Sequence, residues 1–275
     1  MKRSALLDQI KKKQSFLCVG LDVDLEKIPP FLQTVEDPLF EFSKAIVEAT
    51  APYAVAFKPN IAFFEAYGAQ GWASLEKLIT FINQHYPELF TIADAKRGDI
   101  GNTASRYAKA FFETLGFDAV TVAPYMGRDA VEPFLAFPNK HTILLGLTSN
   151  PSAAEFQLAE VAGKPLYEKV LLQSQQWNNA SQLMYVVGAT KPEGLKKIRS
   201  LLPDAFFLVP GVGAQGGSLA AVAEAGLNAD CGLLVNSSRG ILYASQGEQF
   251  AQASADQAKA LQQEMAHYLS NFKKG

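Results

Sequence analysis

Eight short apolar segments recur along the chain, and a longer amphipathic segment follows each of them. The apolar segments are rich in Val, Ile, Leu and Phe, which is typical of parallel strands buried on both faces. They are Phe16–Leu21, Tyr53–Phe57, Phe90–Ala93, Ala119–Ala123, Thr142–Leu147, Leu183–Val187, Phe206–Val209 and Gly232–Val235. Eight strand–helix units predict right-handed crossovers and a parallel sheet that closes into a (β/α)8 TIM barrel. A doubly wound open sheet is the structural alternative.

The amphipathic segments predict the helices that surround this barrel. They are Asp37–Thr50, Gly71–His85, Asn102–Leu115, Arg128–Ala136, Leu166–Ala180, Pro192–Leu201, Ser218–Ala225 and Glu248–Asn271, with an extra N-terminal helix over Lys2–Lys13. The length of 275 residues suits a barrel, which typically uses about 250. Since no Pro-, Gly- or Ser-rich linker divides the pattern, we expect a single domain over residues 1–275.

Composition excludes several classes of partner. The formal net charge is −2 and basic residues are dispersed, so the sequence predicts no nucleic-acid partner. No apolar stretch is long enough to span a bilayer and no signal peptide is evident, which predicts a soluble, cytoplasmic protein. The two cysteines and three histidines match neither a metal-ligand spacing nor a catalytic triad, so we expect no metal.

The richest polar stretch follows the third predicted strand. Asp94 and Lys96 are two residues apart, so on a strand they share one face. Gly98 permits a sharp turn that can bring Asp99 back over the same spot. A lysine between two carboxylates keeps its proton, which suits a proton donor better than a nucleophile. A structural ion-pair network is the alternative interpretation.

A second candidate site follows the seventh predicted strand. The segment 211–216 matches G-x-G-x-x-G, but a dinucleotide fingerprint belongs to the first strand–helix unit, which argues against that fold. In barrels the loops after strands seven and eight often bind phosphate. Gln215 can donate a hydrogen bond, and Arg239, after the eighth strand, can clamp phosphate bidentately. Glycines that serve only tight turns are the alternative.

Together these motifs resemble one known family. Asp94-Ala-Lys96-Arg-Gly-Asp99-Ile-Gly-Asn-Thr103 resembles the signature of the orotidine 5′-phosphate decarboxylases, and Pro210–Gly217 resembles their phosphate-binding loop. The motifs Gly20–Asp22, Phe57–Asn60 and Ser238–Gly240 follow in the family's order and spacing. The chain is similar to the longer bacterial branch, and its segment 150–165 departs from the compact members.

The resemblance implies decarboxylation of orotidine 5′-monophosphate to uridine 5′-monophosphate and CO₂ in de novo pyrimidine biosynthesis, without metal or organic cofactor. Lys96 would protonate C6 of the pyrimidine, Asp94 would face the substrate carboxylate, and Lys58 would hold Asp94. The family positions would also bind substrate: Asp22 and Lys58 the ribose, Thr148 and Ser149 the pyrimidine, and Gln215 and Arg239 the phosphate. Pro210 and Ser238 are further expected substrate contacts, and Asp99, Ile100 and Thr103 would complete the partner's site in a homodimer.

Three other functions are alternatives at the level of the sequence. A sister sugar-phosphate decarboxylase or synthase shares Asp-x-Lys-x-x-Asp but uses Mg²⁺, and its metal carboxylate would lie near Lys58. A phosphate-ligand binding barrel without catalysis would not need so many charges in one place. A Schiff-base aldolase needs a readily deprotonated lysine, which flanking carboxylates oppose.

Overall fold

The structure, a computed structural model, describes residues 1–189, 192–212 and 217–272. Its eight parallel strands form a closed barrel in chain order. They are β1 Leu17–Leu21, β2 Ala56–Pro59, β3 Phe90–Arg97, β4 Ala119–Val122, β5 His141–Leu147, β6 Leu183–Val187, β7 Phe207–Val209 and β8 Leu233–Ser237. β1 pairs with β2 on one side and with β8 on the other, which closes the sheet. The predicted (β/α)8 barrel is therefore confirmed.

Helices pack around the barrel in the predicted alternation. They are α1 Arg3–Lys13, α2 Pro38–Thr50, α3 Ile61–Glu65, α4 Gly68–His85, α5 Gly101–Lys109, α6 Glu132–Leu135, α7 Ala153–Phe156, α8 Leu166–Ser174, α9 Pro192–Leu201, α10 Leu219–Gly226, α11 Arg239–Leu242 and α12 Phe250–Phe272. A two-stranded antiparallel hairpin, Glu160–Val161 with Lys164–Pro165, lies in the long segment after β5. No helix within the described ranges is long and apolar enough to cross a bilayer.

The extra N-terminal helix α1 lies across the amino-terminal end of the barrel. Arg3 donates to the carbonyl of Asp204, just before β7, and Lys13 donates to the carbonyls of Ala51 and Ala54, just before β2. Leu6 and Ile10 of α1 are buried. The opposite end of the barrel, where barrel enzymes hold their active sites, remains open.

Several element boundaries differ from the sequence prediction. β2 runs to Pro59 instead of Phe57, and β3 runs to Arg97 instead of Ala93. The helix predicted over Asn102–Leu115 is α-helical only to Lys109 and continues as one π turn. The helices predicted over Arg128–Ala136 and Leu166–Ala180 are shorter than expected. The two strand extensions matter most, because they carry charged residues into the barrel mouth.

Local sequence explains how α2 starts against the barrel. The Asp37 carboxylate caps the helix by accepting from the backbone N–H of Phe40, and Pro38 occupies the first turn, where its missing N–H costs nothing. The same carboxylate accepts from Ser74 and Lys77 of α4. One buried acid therefore sets the start of α2 and its packing against α4.

Candidate active site

A polar cavity of about 290 Å³ opens at the carboxyl ends of the barrel strands. Both candidate sites predicted from the sequence border it. Its lining residues are Asp22, Lys58, Asn60, Asp94, Lys96, Leu145, Thr148, Ser149, Asn150, Val186, Leu208, Pro210, Gly211, Val212, Asn236, Ser238 and Arg239. Most of the predicted site residues therefore meet in one place.

The charged cluster in this cavity is centred on Asp94. Lys58 Nζ donates to Asp94 Oδ2 at 2.8 Å, and Lys96 Nζ donates to Asp94 Oδ1 at 2.5 Å. Lys58 is buried with only 4% of its side chain exposed, whereas Lys96 is 52% exposed. One ammonium is thus fixed inside the barrel while the other reaches into the cavity.

Electrostatic interactions keep Asp94 and Lys58 ionised. Burial by itself raises the pKa of Asp94, but the charges and hydrogen bonds of Lys58 and Lys96 outweigh it and hold that pKa well below its usual range. Burial lowers the pKa of Lys58, but the charges of Asp94 and Asp22 outweigh this and leave the pKa raised. Asp94 is therefore an anion and Lys58 a cation at neutral pH.

Asp22 forms the other side of the Lys58 environment. Its Oδ1 lies 3.9 Å from Lys58 Nζ, beyond hydrogen-bonding distance. This oxygen is buried and has no hydrogen-bond partner among the described residues. A buried acceptor without a partner is costly to keep, so Asp22 is suited to a ligand that donates a hydroxyl.

Lys96 reaches Asp94 by a route that the sequence prediction did not anticipate. Regular strand alternation was expected to place both side chains on one face. Instead Lys96 has a left-handed backbone with φ of +46°, and the pairing of β3 with β4 shifts register between Ala93 and Arg97. The two side chains meet because the strand is irregular there, and such a conformation is unfavourable for a residue with a Cβ.

Asp99 does not return to the cluster within this chain, so that expectation was wrong. The ion pair of Lys96 is with Asp94, and the Asp99 carboxylate accepts from the backbone N–H of Ile100 instead. Asp99, Ile100 and Thr103 all lie outside the cavity lining. Ile100 is 51% exposed and Thr103 is also exposed.

The predicted phosphate site lies on the side of the cavity formed by β7 and β8. Pro210, Gly211 and Val212 follow β7, and Ser238 with the exposed Arg239 follows β8. The Gly217 N–H donates to the Gly211 carbonyl at 3.1 Å, so these two described residues lie close together. Gln215 lies outside the described residues.

Gly20 of β1 explains why the first motif needs a glycine. A Cβ at this position would overlap the Ser238 hydroxyl and crowd Asn236 Oδ1. The close approach places Ser238 beside Asn236, whose amide donates to the Ser238 hydroxyl at 3.1 Å. Both side chains line the cavity on the side of Arg239.

Comparisons with known proteins decide the family. A model of the "Orotidine 5′-phosphate decarboxylase / HUMPS family" matches residues 15–254. Proteins named orotidine 5′-phosphate decarboxylase from Flavobacterium johnsoniae and Christiangramia forsetii are 60% and 59% identical to this chain, with 98% and 99% of this chain and 99% and 100% of those proteins covered. The chain belongs to this family. The predicted family resemblance is thereby confirmed.

Solved structures of the decarboxylase family share the fold. The structure of Leishmania donovani OMP decarboxylase superposes with a TM-score of 0.81 at 38% sequence identity, covering 95% of this chain and 99% of that one. The two chains therefore share one fold over nearly their whole length.

Sequence reasoning noted three asparagines among the polar residues at the strand ends but gave them no role, and it missed one glutamine near the cavity. Asn60, Asn150 and Asn236 line it, and Gln157 holds Thr148 from outside the lining. The asparagines had a weak signal, since each follows or ends a predicted strand. Gln157 had none, because only the return of its segment toward β5 makes it a neighbour of Thr148.

Proposed function

We propose that this chain converts orotidine 5′-monophosphate to uridine 5′-monophosphate and CO₂, the activity for which its relatives at 60% and 59% identity are named. One observation carries the proposal most directly. The Lys96 side chain stands in a cavity against Asp94, which a second, buried lysine holds in place. The proposal treats residues 1–275 as one catalytic domain with no required cofactor.

In the proposed reaction Lys96 is the proton donor. The bond between C6 of the pyrimidine and the carboxyl carbon breaks, its electron pair stays on C6, and CO₂ leaves. The ammonium of Lys96 stabilises the charge as it develops and then gives its proton to C6. Asp94 lies against the departing carboxylate, and the buried Lys58 fixes Asp94 by its 2.8 Å hydrogen bond.

Phosphate binding is assigned to the opposite side of the cavity. Arg239 supplies a planar cation that matches phosphate oxygens, and Ser238 and Pro210 line the same cavity. Gln215, outside the described residues, is assigned to the phosphate by its family position. The phosphate does not react. Its binding energy is available to hold the reacting part of the substrate against Lys96 and to expel water from the reacting atoms.

The rest of the cavity is assigned to the nucleoside. Asp22, with its unpaired buried oxygen, accepts from a ribose hydroxyl beside Lys58. Thr148 and Ser149 after β5 contact the pyrimidine edge. These roles follow the family positions, and the polar lining supports them. A substrate that carries both a phosphate and a carboxylate does not cross a bilayer unaided, so we place the reaction in the cytoplasm.

We further propose a homodimer in which Asp99, Ile100 and Thr103 complete the partner's site. These residues leave their own cavity, and Ile100 is exposed. Tyr125 and Met126, after the neighbouring strand β4, are 86% and 49% exposed. Exposed apolar side chains of this size on neighbouring loops are typical of a surface that another chain covers.

The Mg²⁺-dependent sugar-phosphate alternative is less well supported. A metal carboxylate would be required near the end of β2, and Lys58 occupies that position with its ammonium between Asp94 and Asp22. An ammonium there repels a divalent cation.

The decisive experiment is an assay of the purified protein with orotidine 5′-monophosphate in the presence of a chelator. We expect the ultraviolet absorbance of the orotate chromophore to fall while CO₂ is released, at the same rate with and without chelator. Absence of turnover, or activity that returns only with Mg²⁺, would overturn the proposal.

A further inference from the structure

Strand β3 has a β-bulge at the point where it carries the charged cluster. Ala93 pairs with Val120 and Arg97 pairs with Val122 of β4. Three residues of β3, namely Asp94, Ala95 and Lys96, therefore lie opposite the single residue Thr121. A bulge of this kind leaves backbone groups without ladder partners.

The Thr121 side chain satisfies the backbone groups that the bulge releases. Its Oγ1 accepts from the N–H of Ala95 at 2.9 Å and from the N–H of Lys96 at 2.8 Å. Thr121 is fully buried, so its hydroxyl contacts protein groups and not solvent. The left-handed backbone of Lys96 is thus tied to β4 through one hydroxyl oxygen.

The direction of the remaining hydrogen bond follows from the chemistry of a hydroxyl. A threonine oxygen has two acceptor positions and one proton. Ala95 and Lys96 occupy both acceptor positions, so the proton is directed to Asp94 Oδ1 at 3.2 Å, with the more distant Ala93 carbonyl at 3.5 Å. The same Oδ1 accepts from Lys96 Nζ.

We propose that Thr121 is a positioning residue that sets the reactive geometry of Lys96 and Asp94. It holds the lysine at its backbone and the aspartate at the oxygen that the lysine contacts. The Lys96 side chain is long and half exposed, so packing alone does not fix its ammonium. The position of the ammonium therefore depends on these two contacts, one at the Lys96 backbone and one at Asp94 Oδ1. The proposal rests on the proposed role of Lys96 as proton donor.

The test compares Thr121→Val, which removes the hydroxyl at nearly constant shape, with Thr121→Ser, which keeps it. We expect kcat of Thr121→Val to fall about 100-fold, since misplacement by about 1 Å costs that much. Thr121→Ser should stay within about 3-fold of the wild type by the same reasoning. Affinity for uridine 5′-monophosphate, measured by calorimetry, should change little in both variants.

Thr142→Val is the matched control. Thr142 is a buried threonine on the neighbouring strand β5, where it pairs with Val120, and its hydroxyl has no hydrogen-bond partner among the described residues. We expect this variant to keep normal kcat. Should Thr121→Val fail to fold, Thr121→Ala leaves room for a water at the two amides and is expected to lose kcat as well.

A crystal structure of the folded Thr121 variant tests the geometry without any substrate. We expect Lys96 to leave the left-handed region and its Nζ to separate from Asp94 Oδ1. An unchanged Lys96 backbone in this structure would overturn the proposal. So would equal losses of kcat and of nucleotide affinity in Thr121→Val if Thr121→Ser showed the same losses. Absence of turnover by the wild type would instead contradict the proposed function. The crystal structure of the variant would still test whether Thr121 positions Lys96 and Asp94.

Discussion

Gln157 holds Thr148 with both ends of its side-chain amide. Gln157 Oε1 accepts from the backbone N–H of Thr148 at 2.8 Å, and Gln157 Nε2 donates to Thr148 Oγ1 at 2.7 Å. Because a backbone N–H can only donate, the orientation of the amide is fixed. The Thr148 hydroxyl must then give its proton to Asn150 Oδ1 at 2.6 Å. The Asn150 amide nitrogen is left as a donor at the cavity.

This relationship predicts a role for the segment 150–165. Gln157→Leu removes both contacts to Thr148. The Thr148 hydroxyl is then free to rotate, so its donor and acceptor directions toward the pyrimidine are no longer fixed. We expect affinity for uridine 5′-monophosphate to fall about 10-fold, which corresponds to about 1.4 kcal/mol. Affinity for ribose 5-phosphate, which lacks the base, should not change. Calorimetric titration with both ligands measures the difference.

Gln176→Leu is the control for this experiment, because Gln176 is an exposed glutamine that does not line the cavity. It should bind both ligands normally. Equal weakening of the two ligands in Gln157→Leu would mean general damage to the barrel mouth, and unchanged binding of both would remove the segment from base recognition.

The sequence predicted the barrel well because strands buried on both faces are encoded by continuous apolar runs. It misplaced the end of β2 because Lys58 interrupts that run. Lys58 nevertheless lies inside the strand, since Asp94 and Asp22 from neighbouring strands neutralise it. Each of these partners lies 36 residues from Lys58 in the sequence, one before it and one after it, so a local pattern does not reveal the compensation.

The same limit applies within the site. Asp94, Lys96 and Arg239 were predicted as site residues from motifs, because they are charged residues that follow predicted strands, where barrels hold their active sites. The left-handed turn at Lys96 and the support from Thr121 depend on how β3 and β4 pair. No spacing along the chain specifies such a bulge, which explains why both features were missed.

Lys96→Ala separates chemistry from binding. The variant lacks the proposed proton donor but keeps the residues assigned to phosphate and ribose. We expect kcat to fall at least about 10³-fold, within the range for losing a general acid, while uridine 5′-monophosphate still binds. Steady-state kinetics and calorimetry measure the two quantities. Lys259→Ala, at an exposed position on α12, serves as the control. Near-normal turnover by Lys96→Ala would assign the proton to another group.

Asp94→Asn should reveal the ion pair in the pH dependence of stability. Removing the carboxylate leaves Lys58 buried with only the more distant Asp22, and breaking such a pair costs about 3 kcal/mol at neutral pH. The pKa of Asp94 is lowered in the folded state, so its stabilisation is present above its unfolded pKa of about 3.9 and is lost as the pH falls further. The difference between wild type and variant in the free energy of unfolding should therefore narrow below about pH 4.

Urea unfolding of both proteins from pH 7 to below pH 4 measures this difference. Asp129→Asn is the control, since Asp129 is an exposed aspartate outside the cavity. A gap that stays constant across the whole range would mean that the charge of Asp94 does not stabilise the fold.

Mixed dimers test whether Asp99 serves the partner's site. Asp99→Ala and Lys96→Ala should each be nearly inactive alone. When the two are co-expressed, a mixed dimer contains one site with Lys96 from one chain and Asp99 from the other. Random pairing makes about half of the dimers mixed, each with one intact site of two, so activity should recover to about one quarter of wild type. If Asp99 acts within its own chain, every site in a mixed dimer lacks one residue and no activity returns.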